Sequence, residues 1–146
     1  MTTQDFTPPP RARQHCRHYS YQMGHVSPLE DGSGPRCAVG VKMDDLGASE
    51  PCMPKPAGWC PKREEWSKEE RATWARWAKG SRARLATIIA ALPRQIEVNS
   101  INAMTCPACG GTLRYGRWRG GAQVQCETPH CCSVRVNVDE SKGWPA

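Results

Sequence analysis

Nine cysteines stand against a short supply of aliphatic side chains, and that imbalance limits what this chain can fold into more than any other feature. Leu, Ile, Val and Phe together account for eighteen of its 146 residues, under the roughly 20% below which a chain tends to stay disordered. One oily core cannot order the whole polypeptide. The substitutes at hand are six Trp, which bury large areas one at a time, and the cysteines, which cross-link through disulfides or metal.

Compartment decides between disulfide and metal. The opening residues include Asp5, no secretory-type apolar run follows, and no stretch is long and apolar enough to span a bilayer. The expected setting is therefore a reducing cytoplasm, where thiols persist and clustered cysteines bind metal. An odd count agrees, since complete pairing would strand one thiol.

Cys106-Pro107-Ala108-Cys109-Gly110-Gly111 has the form of a metal knuckle. Two intervening residues let the chain turn tightly enough to set both sulfurs about 2.3 Å from one tetrahedral ion, and the glycines let backbone amides point back at the thiolates. Sixteen residues then separate Cys109 from Cys126, enough for a hairpin to return. Beyond Thr112 apolar and polar residues alternate: Val124 and Cys126 with Gln123 and Gln125, then Val134, Val136 and Val138 with Arg135 and Asn137. These are strands, and Gly116, Gly120 and Gly121 mark the turn after the first of them, Thr112 to Tyr115.

From Thr105 to about Val138 the chain resembles the zinc-ribbon family, which implies a three-stranded antiparallel sheet with a knuckle at each end of the metal site. The resemblance implies Cys106, Cys109 and Cys126 as ligands. Cys126 to Cys131 skips four residues and Cys126 to Cys132 skips five, both longer than the family's two, so the fourth ligand is open. Cys131 is favoured because Thr128-Pro129 forms a wider turn before it; His130 and Cys132 are the alternatives.

Cys16, Cys37, Cys52 and Cys60 are separated by 20, 14 and 7 residues, so a metal site there has to be assembled by the fold and not by local turns. Zinc is the expected ion at both sites, and four thiolates also suit an iron-sulfur cluster at the second. The run Cys16-Arg17-His18-Tyr19, Cys37-Ala38-Val39-Gly40-Val41, Pro51-Cys52 and Trp59-Cys60 resembles small Cys-rich proteins of tailed bacteriophages. That resemblance implies a setting in bacterial host cytoplasm and carries no activity.

Ser67 and Glu70 have the spacing of a capping box, and Pro93 ends the helix they begin. Trp74, Ala78, Ser81, Leu85, Ile88 and Leu92 recur at spacings of 4, 3, 4, 3 and 4 along one stripe. The fold class expected is a small metal-stabilised α+β protein. Its parts are a disordered arm over 1–14, an irregular Cys-rich metal-binding module over 15–62, one long basic amphipathic helix over 66–93, the ribbon over 104–139 and a frayed tail over 140–146 with Trp144 as a candidate lid.

The net charge of +6 sits mostly in the middle of the chain. Arg71, Arg76, Lys79 and Arg82 line or flank the polar side of the helix, and no acidic residue falls between Arg71 and Ile96. Arg114, Arg117, Trp118 and Arg119 interleave guanidinium and aromatic groups near the hairpin turn, a composition suited to holding a phosphate backbone while stacking on unpaired bases. A solvated charged face and a Trp118 that covers the metal site are the bland alternatives. No paired carboxylates, phosphate loop or catalytic triad is visible, and a closed four-thiolate site leaves no open coordination position. The expectation is a non-enzymatic protein that binds DNA or RNA, a phage-type regulator of transcription or DNA metabolism; the alternative is a module that engages or inhibits a host protein complex. Oligomeric state is not legible.

Overall fold

Ser67 and Glu70 exchange both hydrogen bonds of a capping box: the Ser67 amide donates to Glu70 Oε2 at 2.8 Å and the Glu70 amide to Ser67 Oγ at 3.1 Å. In this computed structural model, which describes residues 4–22, 34–43 and 47–144, the box opens helix α1, Lys68–Ala91. Its 24 residues reach about 36 Å at 1.5 Å each. The predicted stripe is unevenly covered: Ile88 and Leu92 are buried, while Trp74, Ala78, Ser81 and Leu85 are half-buried.

The chain divides into two compact units, Pro10–Trp74 on one hand and Met1–Pro9 with Ala75–Ala146 on the other. The boundary therefore falls inside α1, where the sequence suggested a separate helical module. Cooperative helix formation explains this, because a capped, uninterrupted helix continues through a boundary that its side chains respect.

The larger unit is built on a four-stranded antiparallel sheet in consecutive order, β3 Ser100–Thr105, β4 Thr112–Trp118, β5 Gly121–Cys126 and β6 Ser133–Asn137, numbered after the two strands described below. Three strands were expected. β3 was missed because its inward positions, Ser100, Asn102 and Met104, are largely polar, so no apolar alternation announces it. β4 also runs past the predicted end at Tyr115: Gly116 is not a turn residue but pairs with Ile101 on one side and Gln123 on the other.

Register puts Leu113, Tyr115, Ala122, Val124, Val134 and Val136 on one face of this sheet. Leu113, Ala122 and Val124 are wholly buried there, and Ile88 and Leu92 of α1 pack with Leu113 and Val124 in one cluster. Phe6 belongs to the same cluster. The described part of the opening segment is thus not a mobile arm: Trp77 Nε1 donates to the Phe6 carbonyl at 3.0 Å and the Arg84 guanidinium lies 4.2 Å from the Phe6 ring centroid. In a chain with a single Phe, burying that ring outweighs the flexibility of its polar surroundings. Trp144 is half-buried against the cluster too, so the tail is docked at that residue; Met1 to Thr3, Pro145 and Ala146 lie outside the described residues.

The smaller unit holds a hairpin, β1 Tyr19–Gln22 against β2 Gly34–Cys37, and a single 3₁₀ turn, Glu50–Cys52. Residues 23–33 and 44–46 of the expected Cys-rich module lie outside the described residues. Among the described ones, the buried apolar residues are Ala12, Cys16 and Cys52. Polar ties replace packing. Arg63 donates to the carbonyls of Pro51 and Met53, and Arg17 pairs with Glu64 at 3.2 Å and Glu70 at 2.6 Å while lying 4.6 Å from the Trp66 ring centroid.

Candidate metal centre and open sheet face

The knuckle turn forms as its residue types demand. The Gly110 amide donates to the Cys106 carbonyl at 2.8 Å, the Cys106 amide to the Gly111 carbonyl at 2.7 Å, and the Gly111 amide to Cys109 Sγ at 3.4 Å. Gly110 has φ +78°, in the left-handed region where an added Cβ is costly. On the other side, Cys126 closes β5 and the chain turns through Thr128-Pro129-His130 before Cys131. His130 itself takes φ +59°, and the Cys131 amide donates to the Thr128 carbonyl at 3.1 Å.

These two turns bring Cys106, Cys109, Cys126 and Cys131 together, with all four sulfurs within 4.8 Å of one another. Cys106 and Cys131 sulfurs are 3.9 Å apart, Cys109 and Cys126 sulfurs 3.4 Å. A disulfide needs about 2.05 Å, whereas four sulfurs at about 2.3 Å from a tetrahedral ion stand roughly 3.8 Å apart. The set has the spacing of a tetrathiolate metal site and not of two disulfides. Cys131 occupies the open fourth position; His130 is exposed, and Cys132 is half-buried outside the group, its carbonyl accepting from the Cys126 amide at 2.9 Å.

The protons of the metal-free site are unevenly held. Burial raises the Cys109 thiol, but hydrogen bonding with the Thr128 hydroxyl and from the Gly111 amide, with help from Cys126 and Cys131, outweighs it and brings Cys109 down to about 7. Burial, reinforced by the neighbouring sulfurs, pushes Cys126 and Cys131 up, and burial pushes Cys132 up as well. The sequence read Thr128 only as part of a turn. Its Oγ1 lies 3.2 Å from Cys109 Sγ and is a tuning group.

Among the described residues, no three of Cys16, Cys37, Cys52 and Cys60 form a ligand group with the close spacing of the sheet's four sulfurs, so this predicted set is not brought together as a formed site. They border one cavity of about 260 Å³ in the smaller unit. Burial raises the Cys52 thiol first, and Cys16, Cys60 and Cys37 raise it further.

The second feature is the sheet face turned away from the core. Register sets Ile101, Gly116, Gln123 and Arg135 in one row across the four strands, beside a second row of Ala103, Arg114, Gln125 and Ser133. The first row, with Arg114 and Gln125 of the second and with Trp118, lines a groove of about 470 Å³. Trp118 lies flat over Gly121, where any Cβ would overlap the indole. The Arg135 guanidinium covers it at 5.2 Å from the ring centroid.

Trp118 does not cover the metal centre. It sits at the hairpin end of β4, six residues or about 20 Å from Thr112 at the cysteine end, at roughly 3.3 Å per residue.

The predicted basic residues separate. Arg114 is exposed on the open face and pairs with Glu127 at 3.0 Å; Arg119 is exposed at the hairpin turn. Arg117 borders the groove, but its guanidinium leaves the expected patch. Its side chain is 11% exposed and bonded to Glu140 at 2.7 Å and to the Ile96 carbonyl at 3.2 Å, because strand alternation turns it away from Trp118. Arg71, Arg76, Lys79 and Arg82 are exposed along α1. Ile88 and Leu92 of α1 pack on the covered side of the sheet, and no residue of α1 lines the groove. Gln123, Gln125 and Arg135 were missed as site residues, although their outward places in the period-two pattern were readable.

No helix among the described residues is long and apolar enough to cross a membrane. Comparison with known proteins finds no matching family model, no similar curated protein and no similar solved structure. The chain's own geometry is what identifies it: a small α+β protein with a four-cysteine cluster compatible with metal binding.

Proposed function

We propose that this is a non-enzymatic zinc protein whose ribbon-like sheet binds single-stranded nucleic acid on its open face. The observation that carries the proposal is the groove, in which one indole is held flat by Gly121 and flanked by Arg135, Arg114 and the amides of Gln123 and Gln125. With Gly121 under the indole and Arg135 over it, a base would stack on the guanidinium plane or displace it to reach the ring; such stacking contributes roughly 1–3 kcal/mol per base and tolerates any sequence, since every base has a π-face. Guanidinium groups beside it supply phosphate attraction. A flat sheet face does not enter a duplex groove, so unpaired DNA or RNA fits better than double-stranded DNA.

Cys106, Cys109, Cys126 and Cys131 would hold the zinc ion. Bound there, zinc cross-links the two turns that fix the ends of β4 and β5 and leaves no coordination position for substrate. The four side chains are the anchor of the platform and take no part in contact with nucleic acid. A regulatory role in phage transcription or DNA metabolism would follow from nucleic-acid binding in a phage setting; the resemblance to tailed-phage proteins supplies that setting and no activity.

The test is titration of a fluorescent oligonucleotide with the full chain at several salt concentrations. Affinity falls steeply as salt rises, Trp118→Ala weakens binding about tenfold, and Arg135→Ala lowers the salt slope by about 0.7 for a single strand. Arg117→Gln, by contrast, leaves the salt slope unchanged. No retention at low salt, or a Trp118→Ala protein that binds as well as wild type, refutes it. A protein partner is then the better reading, with Ile101, 87% exposed in the same row, as its anchor.

A further inference from the structure

We infer that Cys16, Cys37, Cys52 and Cys60 form a second thiolate-bound metal centre, inside the unit Pro10–Trp74 and separate from the four-cysteine cluster of the sheet. The chemistry is that of a thiophilic metal, either one zinc ion or an iron-sulfur cluster.

Four chain segments distant in sequence bring these cysteines to the lining of one cavity, without the close sulfur spacing of the sheet's four, so a bound metal would have to draw them together. The Cys16 amide donates to the Cys52 carbonyl at 2.9 Å, which joins the first and third segments. The hairpin sets Cys37 directly opposite Tyr19, and the Ala38 amide donates to the His18 carbonyl at 2.8 Å, which brings the second alongside. Arg63, three residues after Cys60, donates to the Pro51 and Met53 carbonyls on both sides of Cys52 and so draws in the fourth. No disulfide joins any of them.

Local geometry repeats features of the sheet's cluster. Each of three cysteines begins a tight turn: Tyr19 amide to Cys16 carbonyl at 3.1 Å, Gly40 to Cys37 at 3.2 Å and Arg63 to Cys60 at 3.1 Å. The Glu64 amide donates to Cys16 Sγ at 3.4 Å, the same distance as Gly111 to Cys109. An amide aimed at sulfur stabilises the thiolate form that metals bind. Val41, Met43 and Pro51 line the same cavity and give a bound metal an apolar wall.

Energetics point the same way. With only Ala12, Cys16 and Cys52 as buried apolar residues among those described, this unit has no aliphatic cluster to oppose the roughly 1–2 kcal/mol of backbone entropy lost per ordered residue. A structural metal is the usual remedy in domains this small.

The experiment combines metal analysis with native-state thiol labelling of the full chain, expressed with both iron and zinc supplied. The expected protein carries two thiolate centres, and under brief treatment with iodoacetamide their eight cysteines stay protected until a strong chelator is added. Cys37 and Cys60 are only half-buried, so their protection reports metal and not burial. Iron with acid-labile sulfide identifies the second centre as a cluster; a second zinc equivalent identifies it as an ion. Cys52→Ser removes that centre and leaves the sheet's metal in place. A wild-type protein with one metal, or Cys37 and Cys60 labelled as fast before chelation as after it, overturns the inference. Neither outcome touches nucleic-acid binding by the sheet face, which is read separately.

Discussion

The two units of this chain solve the same shortage by different means. The sheet unit gathers Phe6, Ile88, Leu92, Leu113 and Val124 into a cluster and places four sulfurs at its edge, with Cys106, Cys126 and Cys131 buried as part of that cluster. The unit Pro10–Trp74 buries no aliphatic or aromatic side chain larger than Ala12 among its described residues and surrounds a cavity with thiols instead. On the proposals above, a metal would reinforce a core in the first case and replace one in the second. The difference predicts which unit survives which insult.

Metal removal is the largest perturbation, because a structural zinc site contributes about 10–16 kcal/mol of binding free energy in zinc-finger peptides. After chelation, hydrogen exchange of Pro10–Trp74 should lose all slow amides. Amides near Ile88, Leu113 and Val124 should keep reduced but measurable protection, since their side chains still exclude water. Equal collapse of both units would erase the distinction, and persistent protection in Pro10–Trp74 would reverse it.

Core truncation sharpens the contrast from the other side. Leu113 is fully buried, so Leu113→Ala should cost about 2–5 kcal/mol in denaturant unfolding of the metal-bound protein. Trp59, the counterpart by size in the smaller unit, is 82% exposed, and Trp59→Ala should fall within about 0.5 kcal/mol of wild type. A costly Trp59→Ala would mean that the smaller unit has packing that its described residues do not account for.

The same contrast governs what was legible in the sequence. Cys106 and Cys109 were readable because knuckle chemistry is local, with two residues between thiols and a glycine pair after them, and Cys126 followed from the resemblance to the ribbon family. Cys131 needed only the extra step of a longer turn. β3 was not readable, because a strand with Ser100 and Asn102 pointing inward carries no apolar period. Phe6 was not readable either, since burial of a lone ring beside three prolines depends on α1 presenting Trp77 and Arg84 to it. Arg117 and Trp118 looked like one patch in sequence and face opposite ways in the sheet; strand alternation, applied through Gly116 and not halted there, would have separated them. In the smaller unit no local turn links the cysteines, so their convergence could be proposed but not placed.

Proton distribution in the sheet's cluster gives a smaller, pH-dependent effect. Cys109 is lowered to about 7 from an ordinary 9.0. Because its folded value is depressed, its contribution to folded stability in the metal-free chain is complete above about 9, declines as pH falls and is lost below about 7. The thiolate is also the reactive form. At pH 7 the metal-free protein should be alkylated at Cys109 roughly six times faster than at an ordinary thiol, the gain in thiolate fraction being partly offset by lower intrinsic nucleophilicity. Cys126 and Cys131, both pushed up, should react last. Thr128→Val should remove most of the preference for Cys109, as measured by mass mapping of modified peptides. An order led by Cys131 would mean that the hydroxyl and the Gly111 amide do not control the site.

Ser67→Ala is the smallest change and the one that bears on both units, because α1 begins in one and ends in the other. Loss of an N-cap hydroxyl costs about 0.5–2 kcal/mol. The first turn of α1 lies in Pro10–Trp74, where Glu70 also holds Arg17 at 2.6 Å, so fraying there loosens a tie of the unit that has fewest alternatives. Amides 68–74 should therefore exchange faster in the variant, while those near Ile88, a further four turns along a helix anchored by its own cluster, should not change. Faster exchange at Ile88 as well would show that the two ends of α1 unfold together, and that the units are one cooperative body in spite of their different interiors.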